Sequence, residues 1–465
     1  MNALAADATS NRSQAAPHVL ALPAQVTLGF EHLRLAEREG MGLLGASYLV
    51  ELQPGWWAGP ALYGAATGQR GGLLNWGAQA KRQWRLRAAW SIAAGLYAGG
   101  GGGANAPVGG GLMLRPHLDL MRDFGAWSAG VTASRVRFPG GTIDSSQLGV
   151  QVALAHDFSF TEPGHGGRSV EWSGSGGLGT DRMDVAIGRN GAAAGRYAAF
   201  GYVGMRLYRQ QGAVMAATIE AAGAATGGAD GYAEALVGAV ALWPLGSDAV
   251  RVGVRGAAGL GGGGAVLTGG GPIAKIALAG RLQLNPQTSL ELDAGRVRSL
   301  KGDFDSPYAQ LSVGVALVDA APRSGVAASH SIVRDMEWAL CLQNVSRAQR
   351  KDGTVRPMSI LGLKFRRSLD DRVYLSGQAH SEISGGEGAY SAGLVGLGVT
   401  APLAAVSVWS VGVEAMVGAG GGGGIASQGG ALVQPMAWVG RDLGRFSQLK
   451  FGAGFVKSVR GDLAS

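Results

Sequence analysis

Cysteine is almost missing from this chain: Cys341 is the single one among 465 residues. One thiol excludes a disulfide scaffold and any cysteine-built metal cage. Charge is scarce as well, at 15% against 46% hydrophobic residues, which excludes an intrinsically disordered chain. No apolar run reaches 18 residues, so no segment reads as a transmembrane helix. A helix bundle is excluded by what the chain has in excess. It carries 82 glycines, each costing about 1 kcal/mol relative to alanine inside a helix. They fall in irregular clusters, which also excludes the G-X-Y period of collagen. What remains is a large β protein with small residues along its strand faces.

The net charge of +8 is spread over dispersed arginines. No Lys/Arg block marks a nucleic-acid arm, so no nucleic-acid partner is expected. The chain does not open on a basic stretch followed by an apolar one, so no secretory signal is present in it. Ala3-Leu4-Ala5 nevertheless has the small-x-small form of a signal cleavage site, and residues 1–24 read as a flexible tail. That combination points to a leader upstream of the given start.

The chain is three copies of one unit of about 160 residues. Glycine runs stand at Gly99–Gly103, Gly261–Gly264 and Gly420–Gly424, each followed by a second cluster at Gly109–Gly111, Gly269–Gly271 and Gly429–Gly430. Ala133-Ser134, Ala294-Gly295 and Ala453-Gly454 repeat at the same offset, each leading to a bulky residue, a valine and a cation. Repetition at a fixed period marks a repeat architecture. The units are read as 25–160, 161–319 and 320–465, with the third lacking its last strand, because Asp462–Ser465 aligns with Asp303–Ser306.

Each unit carries eight strand signals. In the first they fall at 25–36, 41–53, 55–67, 72–86, 87–99, 110–123, 126–138 and 145–158. Alternation supports them: Leu112, Leu114, Leu118 and Leu120 share one face while Arg115, His117 and Asp119 share the other. Gln378, His380 and Glu382 alternate in the same way with Ala379 and Ile383. Strands of 12 to 15 residues exceed the usual globular length. Trp56, Trp57, Trp76, Trp84, Trp90, Trp127, Trp243 and Trp409 lie near strand ends, where an interfacial girdle needs them.

Through strands such as QLGVQVALAHDFSF (147–160) and QLSVGVALV (310–318) the chain resembles bacterial outer-membrane β-barrel proteins as a class. The resemblance implies apolar residues on lipid, a polar lumen, an outer-membrane location and the lipid bilayer as partner. Two architectures fit eight-stranded units. One is an antiparallel up-and-down transmembrane barrel of about 22–24 strands, and the other is three tandem eight-stranded barrels. The missing eighth strand favours the single barrel, since an independent third barrel would carry two exposed edges.

A single wide barrel predicts an outer-membrane channel or export conduit. Arg137, Arg298 and Lys457 would then form a cation ring in the lumen, with Arg135 and Arg296 as an incomplete second ring. Arg115, His117, Asp119, Gln378, His380 and Glu382 are further lumen candidates. Few long loops are present to narrow such a pore, so it would need a periplasmic or plug partner, or an anionic polymer as cargo. On tandem small barrels the same arginines are ordinary strand-end charges, and the alternative is a non-conducting structural or assembly β-barrel, as tandem small barrels or as a soluble protein, with a barrel hydrolase as a distant third. Enzymatic chemistry has little footing. His117 has Asp119 on its face to orient it, but no nucleophile or G-x-S-x-G elbow accompanies them. No HExxH or EF-hand spacing supports a metal, and the glycine runs lack the phosphate-loop pattern, so no cofactor is expected.

Overall fold

The computed structural model describes residues 19–35, 39–87, 89–161, 170–172, 182–192, 198–229, 231–286, 288–316, 318–319, 331–333, 336–369, 372–386, 390–404, 408–443 and 448–463. All regular structure among them is β. The first unit comprises β1 (Val19–Arg34), β2 (Gly40–Gln53), β3 (Trp56–Thr67), β4 (Leu74–Arg85), β5 (Trp90–Gly102), β6 (Met113–Asp123), β7 (Trp127–Arg137) and β8 (Asp144–Thr161). These match the eight strands expected from alternation to within three residues, except that β1 begins at Val19, six residues early, because residues 19–24, read as part of a flexible tail, pair with β8. Each pairs antiparallel with the next, and β8 returns to β1, closing a barrel.

After β9 (Val170–Trp172) the second unit repeats the plan. It runs through β10 (Arg182–Asn190), β11 (Phe200–Gln210), β12 (Met215–Gly227), β13 (Ala233–Leu245), β14 (Ser247–Gly262), β15 (Pro272–Gln283), β16 (Thr288–Ser299) and β17 (Asp305–Ala316). Pairing of β10 with β17 closes this barrel too. The connecting strands β18 (Val318–Asp319) and β19 (Ser331–Val333) join β9 in a small sheet of their own. The third unit holds β20 (Met336–Gln349), β21 (Val355–Ser368), β22 (Val373–Ser384), β23 (Ser391–Pro402), β24 (Trp409–Gly421), β25 (Ala431–Asp442), β26 (Gln448–Gly454) and β27 (Lys457–Ser458). Its sheet runs from β20 to β26 in order, with β27 beside β25, and β20 and β26 do not pair.

The expectation of one barrel of 22–24 strands is therefore corrected: the first and last strands of unit one pair with each other, as do those of unit two, so these two units each close on themselves while the third stays an open sheet. An eight-stranded barrel is just wide enough for side chains to fill its interior. The units are equivalent residue by residue. Gly45, Gly204 and Gly362 face Gly29, Ala186 and Cys341 across the first hairpin of each unit.

Both faces of the strands follow from the alternation. Leu148 (76% exposed), Leu278 (71%) and Leu342 (72%) stand for an outward apolar face in each unit. The inward positions hold either apolar side chains or paired charges. On β8 the outward apolar stretch from Ser146 to Leu154 covers eight residue steps. At about 3.4 Å each and a tilt of about 40° that is roughly 20 Å, the scale of a membrane barrel's lipid band. One end of the barrels carries exposed Trp56, Trp84, Trp90, Trp127, Trp243 and Trp409. Arg82 lies over the rings of Trp56 and Trp84, and Arg122 over Trp90 and Phe124. The other end carries the glycine clusters.

The glycine loops join the units. Each has the same hydrogen bonds: Gly101, Gly261 and Gly420 N–H donate to the carbonyls of Gly111, Gly271 and Gly430 at 3.1, 2.8 and 2.8 Å. Positive φ at Gly103 (127°), Gly263 (90°) and Gly422 (96°) makes the turn possible, a conformation glycine adopts without steric cost. Onto each loop docks the β3–β4-type turn of a neighbouring unit. Gly71 N–H donates to Gly269 O at 2.8 Å, joining units one and two. Gly231 lies against Gly421 and Gly422, joining units two and three, and Gly100 and Gly110 lie against Glu382–Gly385, joining units three and one. The contacts run head to tail and close, which makes a pseudo-threefold ring. Away from the loops, Met183, Val185, Met205 and Leu207 of unit two pack on Phe365, Leu369, Leu375 and Val395 of unit three.

Candidate functional site: the three lumens

Each lumen has two tiers. At the glycine end, equivalent apolar residues from all three units meet inside the wall. Met41, Phe200 and Met358 are at most 1% exposed, and Met113, Ile273 and Leu432 likewise. Val136, Val297 and Val456 join them, and the last turn adds Ile143, Phe304 and Leu463. These residues come from strand ends and turns, so the barrel mouth is stoppered by its own connections.

Below the stopper lie charges, and their pairing follows from strand alternation. In unit one, Glu31 on β1 pairs with Arg115 on β6 and accepts from Ser134 Oγ at 2.7 Å and Gln147 Nε2 at 3.0 Å. Arg115 also lies over the Tyr63 ring. His117 Nδ1 is 3.0 Å from Asp119 Oδ1, and both side chains are about 1% exposed. The cavity between Thr27, Glu31, Arg115, Thr132 and Gln151 measures about 20 Å³, room for roughly one water molecule.

Unit two is denser. Arg182, Arg206, Arg255, Lys275 and Arg281 meet Asp184, Glu220, Glu234, Glu291 and Asp293. Arg206 reaches Glu220 (3.1 Å), Glu291 (3.1 Å) and Asp293 (2.9 Å), while Arg281 reaches Glu291 at 2.7 Å. Tyr208 Oη is 2.7 Å from Glu291 and 2.9 Å from Asp184. Buried charges persist only when paired and hydrogen-bonded, and here five cations balance five anions. In unit three, Lys364 pairs with Glu414, which also accepts from Tyr374 Oη at 3.1 Å. Arg366 stacks 3.6 Å over the Tyr374 ring and lies 3.3 Å from Glu337, which Lys450 also contacts. Gln378 Nε2 is 2.8 Å from His380 Nδ1.

The structure places Arg115, His117, Asp119, Gln378, His380 and Glu382 inside, where alternation puts them. Arg137, Arg298 and Lys457 do not form a ring. They are exposed, on three different walls, and face outward at the glycine end. Arg135 and Arg296 are outward too, paired with Asp144 at 2.7 Å and Asp305 at 2.8 Å. Their neighbours Thr132, Ser134 and Val136 take the inward positions of β7, so the cations fall on the other face. They are strand-end charges bounding the apolar belt. The lumen groups missed in the sequence, Glu220, Glu234, Lys275, Arg281, Glu291 and Asp293, carried a readable signal. In Leu290-Glu291-Leu292-Asp293, acids alternate with leucines.

Among the described residues no group of three or more His, Cys, Asp or Glu side chains is placed to hold a metal. No family model and no curated protein matches the chain. Solved outer-membrane porins do align along most of its length. OccAB3 of Acinetobacter baumannii is 9% identical, with 94% of this chain and 99% of that one covered and a TM-score of 0.24. OpdQ of Pseudomonas aeruginosa is 8% identical, with 96% and 97% covered and a TM-score of 0.20. OccK2 (OpdF) of Pseudomonas aeruginosa, solved with glucuronate, is 9% identical, with 94% and 96% covered and a TM-score of 0.20. Scores this low carry no argument about this chain, and its architecture is read from its own strand pairing.

Proposed function

We propose that the protein is a bacterial outer-membrane protein that stands in the bilayer as two closed narrow barrels and a third unit of the same plan, joined in a ring, with stoppered lumens and a structural or assembly role. The observation that carries this reading is the inverted polarity of the units: leucine and valine outside, paired charge inside. A soluble barrel has no reason to bury five ion-paired cations while exposing Leu148, Leu278 and Leu342. The apolar stopper and the neutralised charges below it support the absence of a continuous water path.

A second reading, an outer-membrane channel for anionic solutes, draws support from unit three. Its wall is open between β20 and β26, and Lys364, Arg366 and Lys450 line its interior. An anionic polymer cargo and a periplasmic plug partner belong to this reading. Planar-bilayer recording of the refolded protein separates the two. Insertion with no stepwise conductance is expected. A salt-scaled, anion-preferring conductance would replace the first reading by the second, and failure to insert into vesicles would remove both.

A further inference from the structure

We propose that the tryptophan end of units one and three binds the phosphate of an anionic phospholipid, with Arg82, Arg122 and Arg441 as the binding groups. The inference rests on the outer-membrane reading above and deepens it, naming the lipid class the wall selects and the residues that select it. It starts from one repeat position. Counted from the equivalent Met113, Ile273 and Leu432, the residues Arg122, Leu282 and Arg441 correspond. Their cross-strand neighbours are Trp90, Val250 and Trp409. The same tryptophan–arginine pair thus stands in units one and three, and unit two has an aliphatic pair in its place. Unit one carries a further such pair, Trp56 opposite Arg82.

The guanidinium groups are held near the end of the apolar belt. Arg122 lies in the outward row of Trp90, Ala129 and Val152, one pair inside Trp127 and Leu154, where the belt stops. Its side chain runs toward the rim: the guanidinium carbon is 5.9 Å from the centre of the Trp90 ring and 5.3 Å from that of Phe124, which is nearer the turn. Arg82 is set in the same way between Trp56 at 5.2 Å and Trp84 at 5.6 Å, and Arg441 is 5.4 Å from the Trp409 ring. A long cationic side chain rooted on apolar surface carries its head into the headgroup layer.

Each ring takes the face of its guanidinium and leaves the edge of N–H donors open. Among the described residues no carboxylate pairs with these three exposed arginines. Arg135 and Arg296 at the opposite rim differ, being neutralised by Asp144 and Asp305. A planar fork with free donors matches two oxygens of a phosphate. Because the protein leaves the charge uncompensated, a headgroup of net negative charge is favoured over a zwitterionic one. The rings that bound the site belong at headgroup depth, so the phosphate is one carried by lipid.

Tryptophan quenching in vesicles tests the proposal. The refolded protein is placed in mixed vesicles of phosphatidylcholine and phosphatidylglycerol, with bromine on the chains of one lipid or of the other. Lipid at the rim quenches the tryptophans beside the arginines, and the two experiments together give the preference. Phosphatidylglycerol is expected to be preferred about fivefold at these sites. The triple variant Arg82→Gln, Arg122→Gln, Arg441→Gln is expected to abolish the preference, and Arg122→Gln alone to lower it in part, so the result stands if the triple variant does not refold. Val250→Trp with Leu282→Arg is expected to raise it by giving unit two the missing pair. Inorganic phosphate is expected to compete no better than sodium chloride at the same ionic strength. Insertion without a preference, a preference that survives the triple variant, or one that free phosphate alone abolishes would overturn the proposal and leave the membrane reading in place. Failure of the parent protein to insert would overturn both.

Discussion

Glu291 shows what a single side chain does in a packed lumen. It is shared by Arg206, Arg255 and Arg281, so removing it leaves three guanidinium groups with reduced compensation in a space without bulk water. Glu291→Leu should destabilise the second barrel by about 3–5 kcal/mol, the cost of orphaning a buried charge. Urea unfolding followed by electrophoretic mobility of unheated samples measures it. Arg135→Ala, which breaks an ion pair on the solvent-facing rim, should leave the same transition unmoved. If both variants shift it equally, the lumen is wetter than the packing implies. The contrast also marks what was legible at this scale. That Arg115, His117 and Asp119 share a face was readable from Leu114, Leu118 and Leu120 on the other face of the same strand. That Arg137 faces outward was readable only by weighing Thr132 and Ser134 as lumen residues against the cations beside them.

Strands and turns carry the next level. Hairpin order, strand length and the repeat were legible because they depend on neighbours in sequence. Closure was not. Pairing of Gly29 with Gln151 joins residues on opposite sides of a unit and leaves no local mark, so β8 could equally have met β10 in a larger barrel. The docking of turns on glycine loops was hidden for the same reason: a run of glycines shows that backbone must come close, not which backbone. A Cβ at Gly71 would lie 2.1 Å from Gly269 O, so Gly71→Val should open the junction between units one and two. Each barrel should keep its resistance to unfolding in cold SDS while protease releases unit-sized fragments. Gly256→Ala, with nothing within 4 Å of the added carbon, should behave as the parent. Loss of barrel structure in Gly71→Val would show that the ring is needed for the barrels themselves.

The whole molecule presents two different rims to its surroundings. Exposed tryptophans with arginines over their rings mark one, and outward Arg135, Arg137, Arg296 and Arg298 mark the other. Interfacial aromatics sit at headgroup depth. Tryptophan emission in vesicles should therefore be quenched more by lipids brominated near the carbonyls than by lipids brominated near the chain ends. The reverse order would place the aromatic rim inside the hydrocarbon and refute the belt drawn from Ser146 to Leu154.

The head-to-tail junctions lead to one further consequence. In a ring where each unit grips the next, order around the circle matters and the starting point does not. A gene rearranged to encode unit two, then three, then one would present the same three junctions between the same partners. Circular permutation should thus preserve the fold, whereas deleting one unit should leave an unmatched turn at one end of the arc and an unmatched glycine loop at the other.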